Sequence, residues 1–417
     1  MITSLRLDLR NPERVPYGLA FRVIYPRGAH KEEGEEAEIG GGGNWWRWGW
    51  IGGWLGRSDR GARSPLPSLE IKARSGDFAP LVPSEVSNSV WFSGFWCSAT
   101  ESSAVPEVTL SSCDTTMPVI GMGTSSYPKV DPETAKAAIL EAIRAGYRHF
   151  DTAFAYGSEQ DLGEAIAEAL RLGLVKSRTE LFITTKLFAS FAERELVVPA
   201  INKSLRNLQL EYVDMYLIHW PFKFGKVVSS MPVEKGVLLP LDIKSVWEGM
   251  EECKRLGLAR GIGVSNFTSE MLEDLLSIAK IPPALNQLEM NPLWQLKKLR
   301  EFCKAKGIHV TAYSPLGSTG TKFGGNKVLG SKVLQDIAES KGKTTAQIAL
   351  RWVYQQGVSL VTKSVNKERM NQNIDIFGWS LTEEELDEIS RLPQHKTITF
   401  ASIMGPHDVV LQVDAGL

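Results

Sequence analysis

Asp151, Tyr156, Lys186 and His219 are the side chains in this sequence whose types could together move a proton. Each stands at or just past the end of a short run rich in β-branched and aromatic residues. A carbonyl that accepts hydride gathers negative charge on oxygen, and that oxygen needs a proton or hydrogen bonds. A tyrosine can supply them, but its reference pKa near 10 makes it a sluggish acid. A neighbouring lysine ammonium would stabilise the phenolate and pull that value down, and an aspartate would keep the lysine charged and oriented. His219 would donate a hydrogen bond to the substrate oxygen. No side chain supplies a hydride, so this chemistry requires a nicotinamide cofactor.

The same pattern recurs along the chain. Short apolar runs alternate with amphipathic segments from Val105 onward, which argues for an α/β chain of repeated βα units and a parallel sheet. Strands are expected at Val119–Met122, Arg148–Asp151, Leu181–Thr185, Val213–Ile218, Ala259–Val264, Ala284–Leu288, His309–Tyr313 and Ser359–Val361. About eight such units in roughly 310 residues is the count that closes a (β/α)8 TIM barrel. Functional groups of that fold sit just after strands, and Ser265, Asn266, Gln287, Tyr313, Lys363 and Ser364 fall there along with the first four. Singly, each has a structural reading: Asp151 as a turn cap, Tyr156 as a core residue with a wet hydroxyl, His219 as a satisfied buried imidazole. Polar convergence at seven strand ends favours a site. Two helix boundaries are also legible: Asp131-Pro132 opens a helix that stops before Gly146, and Thr382 with Glu385 forms a capping box for one ending near Leu392.

Competing motifs fail. Gly121-Met122-Gly123 and Gly261-Ile262-Gly263 begin like dinucleotide loops, but Ser126 and Asn266 stand where the third glycine belongs. Gly342-Lys343-Thr344 resembles the end of a phosphate loop, yet Ile337 occupies the required glycine position. None of the nine tyrosines has a lysine four residues later, so tyrosine and lysine must meet through the fold. Four separated cysteines without a CxxC pair, and no HExxH, give no metal site and point to free thiols in a reducing, cytoplasmic setting. A formal net charge of −1 offers no basic field for nucleic acid or an acidic membrane. The stretch from Trp45 to Leu55 is far below the roughly 20 residues a membrane span needs.

The first 105 residues differ in kind. Seven of the 12 tryptophans lie there among Gly40 to Gly43, scattered prolines and short charge runs. No sustained period appears, and we read the segment as a low-order extension or the product of a misplaced gene start. Aromatic stacking on sugars, or docking at an interface, is the functional alternative.

From Pro106 to Leu417 the chain resembles the plant aldo-keto reductases, through HFDTAFAYGSE (His149 to Glu159), LFITTKL (Leu181 to Leu187), MYLIHWP (Met215 to Pro221), GIGVSNF (Gly261 to Phe267), NQLEMNP (Asn286 to Pro292), AYSPLG (Ala312 to Gly317) and VTKSVNKERMNQN (Val361 to Asn373). The resemblance implies a barrel with two extra helices, closed at its base by an amino-terminal hairpin, here Val108 to Val119. It implies a proton-relay tetrad of Asp151, Tyr156, Lys186 and His219. Ser265, Asn266 and Gln287 would hold the nicotinamide carboxamide, Tyr313 would stack on the ring, and Ser314 to Leu316 would cross the pyrophosphate. Lys363, Ser364 and Arg369 match positions that take an adenosine 2′-phosphate, with Gln372 and Asn373 near the adenine, which favours NADPH over NADH. Phe154, Phe188 and Trp220 would wall the substrate pocket. Phe154 stands where a small residue or histidine is common, and Phe188 replaces a frequent tryptophan. The likeness is to the plant group containing D-galacturonate, methylecgonone and chalcone reductases, most of all at VTLSSC…MPVIGMGTSSYP and the ending FASIMGPHDVVLQVD. It implies a monomeric reductase of a small carbonyl substrate, such as a uronic acid. The rival is a cofactor-sensing regulatory subunit on the same barrel, and rim segments such as Phe222 to Leu239 would decide the substrate.

Overall fold

Each β-branched run does become a barrel strand, and the connecting segments become the helices that cover it. The computed structural model describes residues 105–225, 237–319, 321 and 324–398. The Trp-rich extension, most of the rim segment between Phe222 and Leu239, and the ending from Phe400 lie outside the described residues.

The elements in chain order are β1 (Glu107–Thr109), β2 (Thr116–Pro118), β3 (Ile120–Gly123), α1 (Pro132–Arg144), β4 (His149–Asp151), α2 (Glu159–Arg171), β5 (Phe182–Leu187), α3 (Arg194–Leu208), β6 (Val213–Ile218), β7 (Phe222–Phe224), β8 (Leu238–Pro240) and α4 (Ile243–Arg255). They continue with β9 (Ala259–Ser265), α5 (Ser269–Ile278), β10 (Leu285–Glu289), α6 (Lys297–Ala305), β11 (His309–Tyr313), α7 (Lys332–Lys341), α8 (Thr345–Gln355), β12 (Ser359–Thr362), α9 (Lys367–Ile374) and α10 (Glu383–Ser390). Eight parallel strands close in the order β3, β4, β5, β6, β9, β10, β11, β12, with β12 returning to β3 through Val361 opposite Gly121. This is the expected (β/α)8 barrel. The helices beyond one per strand are the second member of the α7 and α8 pair and the final α10.

Helix ends form where the capping residues stand. Asp131 accepts from the Thr134 backbone N–H at 3.0 Å, with Pro132 in the first helical turn. Thr382 and Glu385 cap α10 reciprocally. β1 and β2 pair antiparallel, Val108 opposite Met117. Leu110 and Met117 then pack with Phe182, Met215, Leu217 and Leu285 to plug the end where the strands begin. The outward residues of the strands, Phe150, Ile183, Tyr216, Ile262 and Val264 among them, bury against the apolar faces of the helices. Each buried aliphatic or phenylalanine side chain among them contributes about 1.5–3 kcal/mol.

The two GxG pairs serve packing. A Cβ on Gly121 would lie 2.8 Å from the His149 ring, and one on Gly263 would lie 2.6 Å from the Leu285 carbonyl. Gly342 closes α7 with φ +60°, and Thr344 caps α8 with Gln347, so that segment is a helix junction rather than a phosphate loop. One feature was not anticipated: Phe222 to Phe224 and Leu238 to Pro240 form a short antiparallel ribbon, β7 and β8, at the ends of the rim segment.

Candidate active site

The strands deliver the four proton-relay candidates to one end of the barrel. Asp151 ends β4, Lys186 lies in β5, His219 follows β6, and Tyr156 sits on a single helical turn, Phe154–Tyr156, after β4. Lys186 is fully buried and is held by three contacts: Asp151 Oδ1 at 2.6 Å, the Thr152 carbonyl at 3.0 Å, and the Tyr156 hydroxyl at 3.4 Å. The Tyr156 hydroxyl lies 3.4 Å from His219 Nε2 on its other side. The tyrosine hydroxyl is thus shared between an ammonium and an imidazole.

Electrostatics modify the sequence expectation in one respect. Burial pushes the Tyr156 hydroxyl above its ordinary pKa, and the nearby Lys186 only partly offsets this. Desolvation of the hydroxyl is the larger effect, and the charge of Asp151 opposes part of what Lys186 contributes. The hydroxyl therefore keeps its proton at neutral pH. For Lys186 itself burial works against the charge, but Asp151 and Tyr156 outweigh it and the ammonium is held above its usual range. Burial, with Lys186 adding to it, drives His219 well below the usual imidazole range, so the ring is neutral. Its Nδ1 is buried and has no partner among the described residues. A neutral ring with Nδ1 bare can carry its proton on Nε2, facing the tyrosine.

The next shell of polar residues links to this group. Gln287 donates to Asp151 Oδ2 at 2.7 Å, and Ser265 donates to the Gln287 carbonyl at 2.9 Å. Asn266 donates to the His219 carbonyl at 3.1 Å and accepts from the Tyr313 hydroxyl at 2.8 Å. Asn266 and Ser314 are non-glycine residues in the left-handed region, with φ 66° and 50°. Such backbone costs about 1–3 kcal/mol per residue and gathers at functional sites.

Asp151, Tyr156, His219, Ser265, Asn266, Gln287 and Tyr313 line a single cleft of about 1430 Å³ at the mouth of the barrel. Ser314 and Leu316 line it, and so do Lys363, Ser364, Arg369, Gln372 and Asn373 at the far end. Phe154, Phe188 and Trp220 line the end nearest Tyr156, joined by Phe224. The rings form a continuous wall, with Phe154 to Phe188 at 6.1 Å and Phe188 to Phe224 at 5.7 Å between centroids. Sequence reasoning missed Ser125, Ser126, Tyr127, Pro128 and Val130 after the first barrel strand, and Thr344 to Ala346 at the start of α8. Strand-end position was the signal available for the first group.

The far end has the chemistry of an anion site. Lys363 donates to Ser126 at 3.1 Å, and neither it nor Arg369 makes an ion pair with a carboxylate among the described residues. Burial and the charge of Arg369 both hold the Lys363 ammonium below its usual range. Two cations that repel and have no counter-ion fit a bound phosphate. The residues thus suit a nucleotide carrying an extra phosphate at this end and a reducible ring at the other.

A barrel closed by a β-hairpin with these groups at its mouth defines an oxidoreductase-type site, and residues 119–393 match the aldo/keto reductase family. The chain belongs to that family. It is 75% identical over 316 residues to a D-galacturonate reductase of Fragaria ananassa, covering 75% of this chain and 99% of that protein. It is 54% identical over 308 residues to an NADPH-dependent codeinone reductase of Papaver somniferum, covering 73% and 95%. Among solved structures, a Bombyx mori aldo-keto reductase in complex with NADP aligns with TM-score 0.65 and 38% identity, over 71% of this chain and 96% of that one.

Proposed function

We propose that the cleft binds NADPH and reduces an aldehyde or ketone to an alcohol, with Tyr156 as the proton donor. The carrying observation is the placement of the Tyr156 hydroxyl, 3.4 Å from both Lys186 Nζ and His219 Nε2 at the bottom of the cleft. When bound, the cofactor supplies the hydride. His219 Nε2 donates to the carbonyl oxygen and orients it. Tyr156 gives its proton to that oxygen as charge develops, and Lys186, held by Asp151, stabilises the phenolate left behind. Ser265, Asn266 and Gln287 would hold the carboxamide, Tyr313 would lie against the ring, and Ser314 to Leu316 would meet the pyrophosphate. Lys363, Ser364 and Arg369 would take the 2′-phosphate, with Gln372 and Asn373 near the adenine.

The substrate reading follows from two facts that pull apart. The Fragaria relative is named for D-galacturonate, which makes a uronic acid the first substrate to assay. The wall of Phe154, Phe188, Trp220 and Phe224 instead favours a planar apolar carbonyl compound. Among the described residues lining that end of the cleft there is no lysine or arginine to pair with a uronate carboxylate. NADPH oxidation across uronic acids, α,β-unsaturated ketones and aromatic aldehydes decides between them. No turnover with any of the three would overturn the reductase reading.

Cys113, Cys253 and Cys303 are free, which suits the cytoplasm. No described helix is long and apolar enough to cross a membrane.

A further inference from the structure

Glu289 ends β10 and is only 2% exposed, yet it takes no part in the proton relay. Strand alternation places it on the same face as Gln287, one step nearer the mouth, and in register with Tyr313. Its two oxygens are filled from more than a hundred residues away. Thr397 N–H donates to Oε1 at 2.9 Å and Ile398 N–H donates to Oε2 at 2.8 Å. Nearby contacts hold the same segment: His395 N–H to the Leu293 carbonyl at 2.5 Å, Gln295 N–H to Gln394 Oε1 at 2.8 Å, and Lys396 over the Trp294 ring. Ile398 in turn lines the cleft. A buried carboxylate is costly unless donors meet its oxygens, and here two successive backbone N–H groups do so.

We propose that Glu289 is a positioning residue for substrate: it fixes the backbone of Thr397 and Ile398 and so sets the Ile398 side of the carbonyl pocket. Its effect reaches the substrate through the chain it holds. Carbonyl affinity depends on it, while the relay and the Lys363 and Arg369 end of the cleft do not. The inference rests on the reductase reading of the cleft.

The test uses the full chain with Glu289→Gln and, separately, Thr397→Pro. The first sets an amide NH2 against a backbone donor. The second deletes one donated N–H and leaves the barrel strand untouched, so it decides the matter if Glu289→Gln does not fold. Both variants should raise KM for the carbonyl by about fivefold, the factor a lost hydrogen bond gives, with kcat and the NADPH dissociation constant within about twofold of wild type. Hydrogen exchange at the Ile398 amide should quicken in Glu289→Gln. Unchanged KM in both variants overturns the proposal, and so does a parallel loss of NADPH affinity, which would mean general loosening. If the wild-type chain reduces no carbonyl, the reductase reading fails on its own. The exchange measurement still judges the latch, and unaltered protection at Ile398 refutes it.

Discussion

The side-chain amide of Gln287 donates to Asp151 Oδ2 at 2.7 Å, opposite the oxygen that Lys186 holds at 2.6 Å. Two residues 136 apart in sequence thereby join the nicotinamide end of the cleft to the proton relay. The carboxylate is gripped on both sides, so it cannot turn away from the lysine without leaving a buried donor unpaired. Tyr156 sees a lysine whose position is fixed before any ligand arrives, which is the preorganisation that electrostatic catalysis needs.

Replacing Tyr156 by Phe keeps the ring and removes the proton. Turnover should fall by about 100-fold or more. NADPH affinity, followed by fluorescence, should stay near wild type, because among the described residues the hydroxyl bonds only to Lys186 and His219. Turnover near the wild-type rate would take Tyr156 out of the mechanism.

Lys186→Met should be as damaging to turnover and, unlike the tyrosine change, should also lower thermal stability. It strips the counter-ion from Asp151, whose residue is 3% exposed. Breaking a buried pair by removing one partner costs about 3–5 kcal/mol. A thermal midpoint equal to that of Tyr156→Phe would contradict the ion-pair account.

Arg369 stands exposed at the rim, so its contribution to phosphate binding lies at the low end for a charge-assisted hydrogen bond. Arg369→Ala should weaken NADPH by about 1.5 kcal/mol, roughly tenfold, and leave NADH nearly unchanged. Equal losses for both nucleotides in a titration would assign the residue to the fold instead.

Acid should destabilise the barrel from within. Burial pushes His149 down to about 4, and His309 likewise to about 4. His149 Nδ1 lies 3.1 Å from the Pro118 carbonyl under the hairpin, and His309 Nε2 lies 3.0 Å from Ser359 Oγ. The unfolded chain binds protons on these rings near the ordinary value of about 6.5, where the folded chain does not. Their contribution is therefore full above that pH and declines as pH falls towards 4, by up to about 3 kcal/mol for His149. The melting temperature should drop steadily from pH 7 to pH 5, and His149→Asn should flatten that slope. A slope unaffected by the substitution would locate the acid sensitivity elsewhere.

Every barrel strand and every residue assigned to chemistry lies beyond Glu107. Removing residues 1–104 should leave kcat, KM and the thermal midpoint nearly unchanged. The loss of the tryptophan-rich sequence from Trp45 to Trp54 should also raise solubility, since apolar aromatic side chains favour association wherever they meet water. An inactive or unfolded truncation, checked by circular dichroism, would make the segment a working part of the enzyme.

The sequence by itself determined the strands and, to within one or two residues, where they end: the run expected to stop at Thr185 continues to Leu187, so Lys186 lies inside its strand. Val213–Ile218 and His309–Tyr313 fall on the expected residues, because a run of buried β-branched and aromatic side chains has few other conformations that bury it. Caps such as Asp131 and Thr382 were legible for the same local reason. Tertiary structure alone decided who meets whom across the barrel. Gln287 to Asp151 and Glu289 to Thr397 and Ile398 are contacts that only closure brings within reach. The direction of the Tyr156 pKa was decided there too. Proximity of a lysine argued for a lowered value, but desolvation depends on everything packed around the hydroxyl, and a strand pattern records only which face a residue occupies.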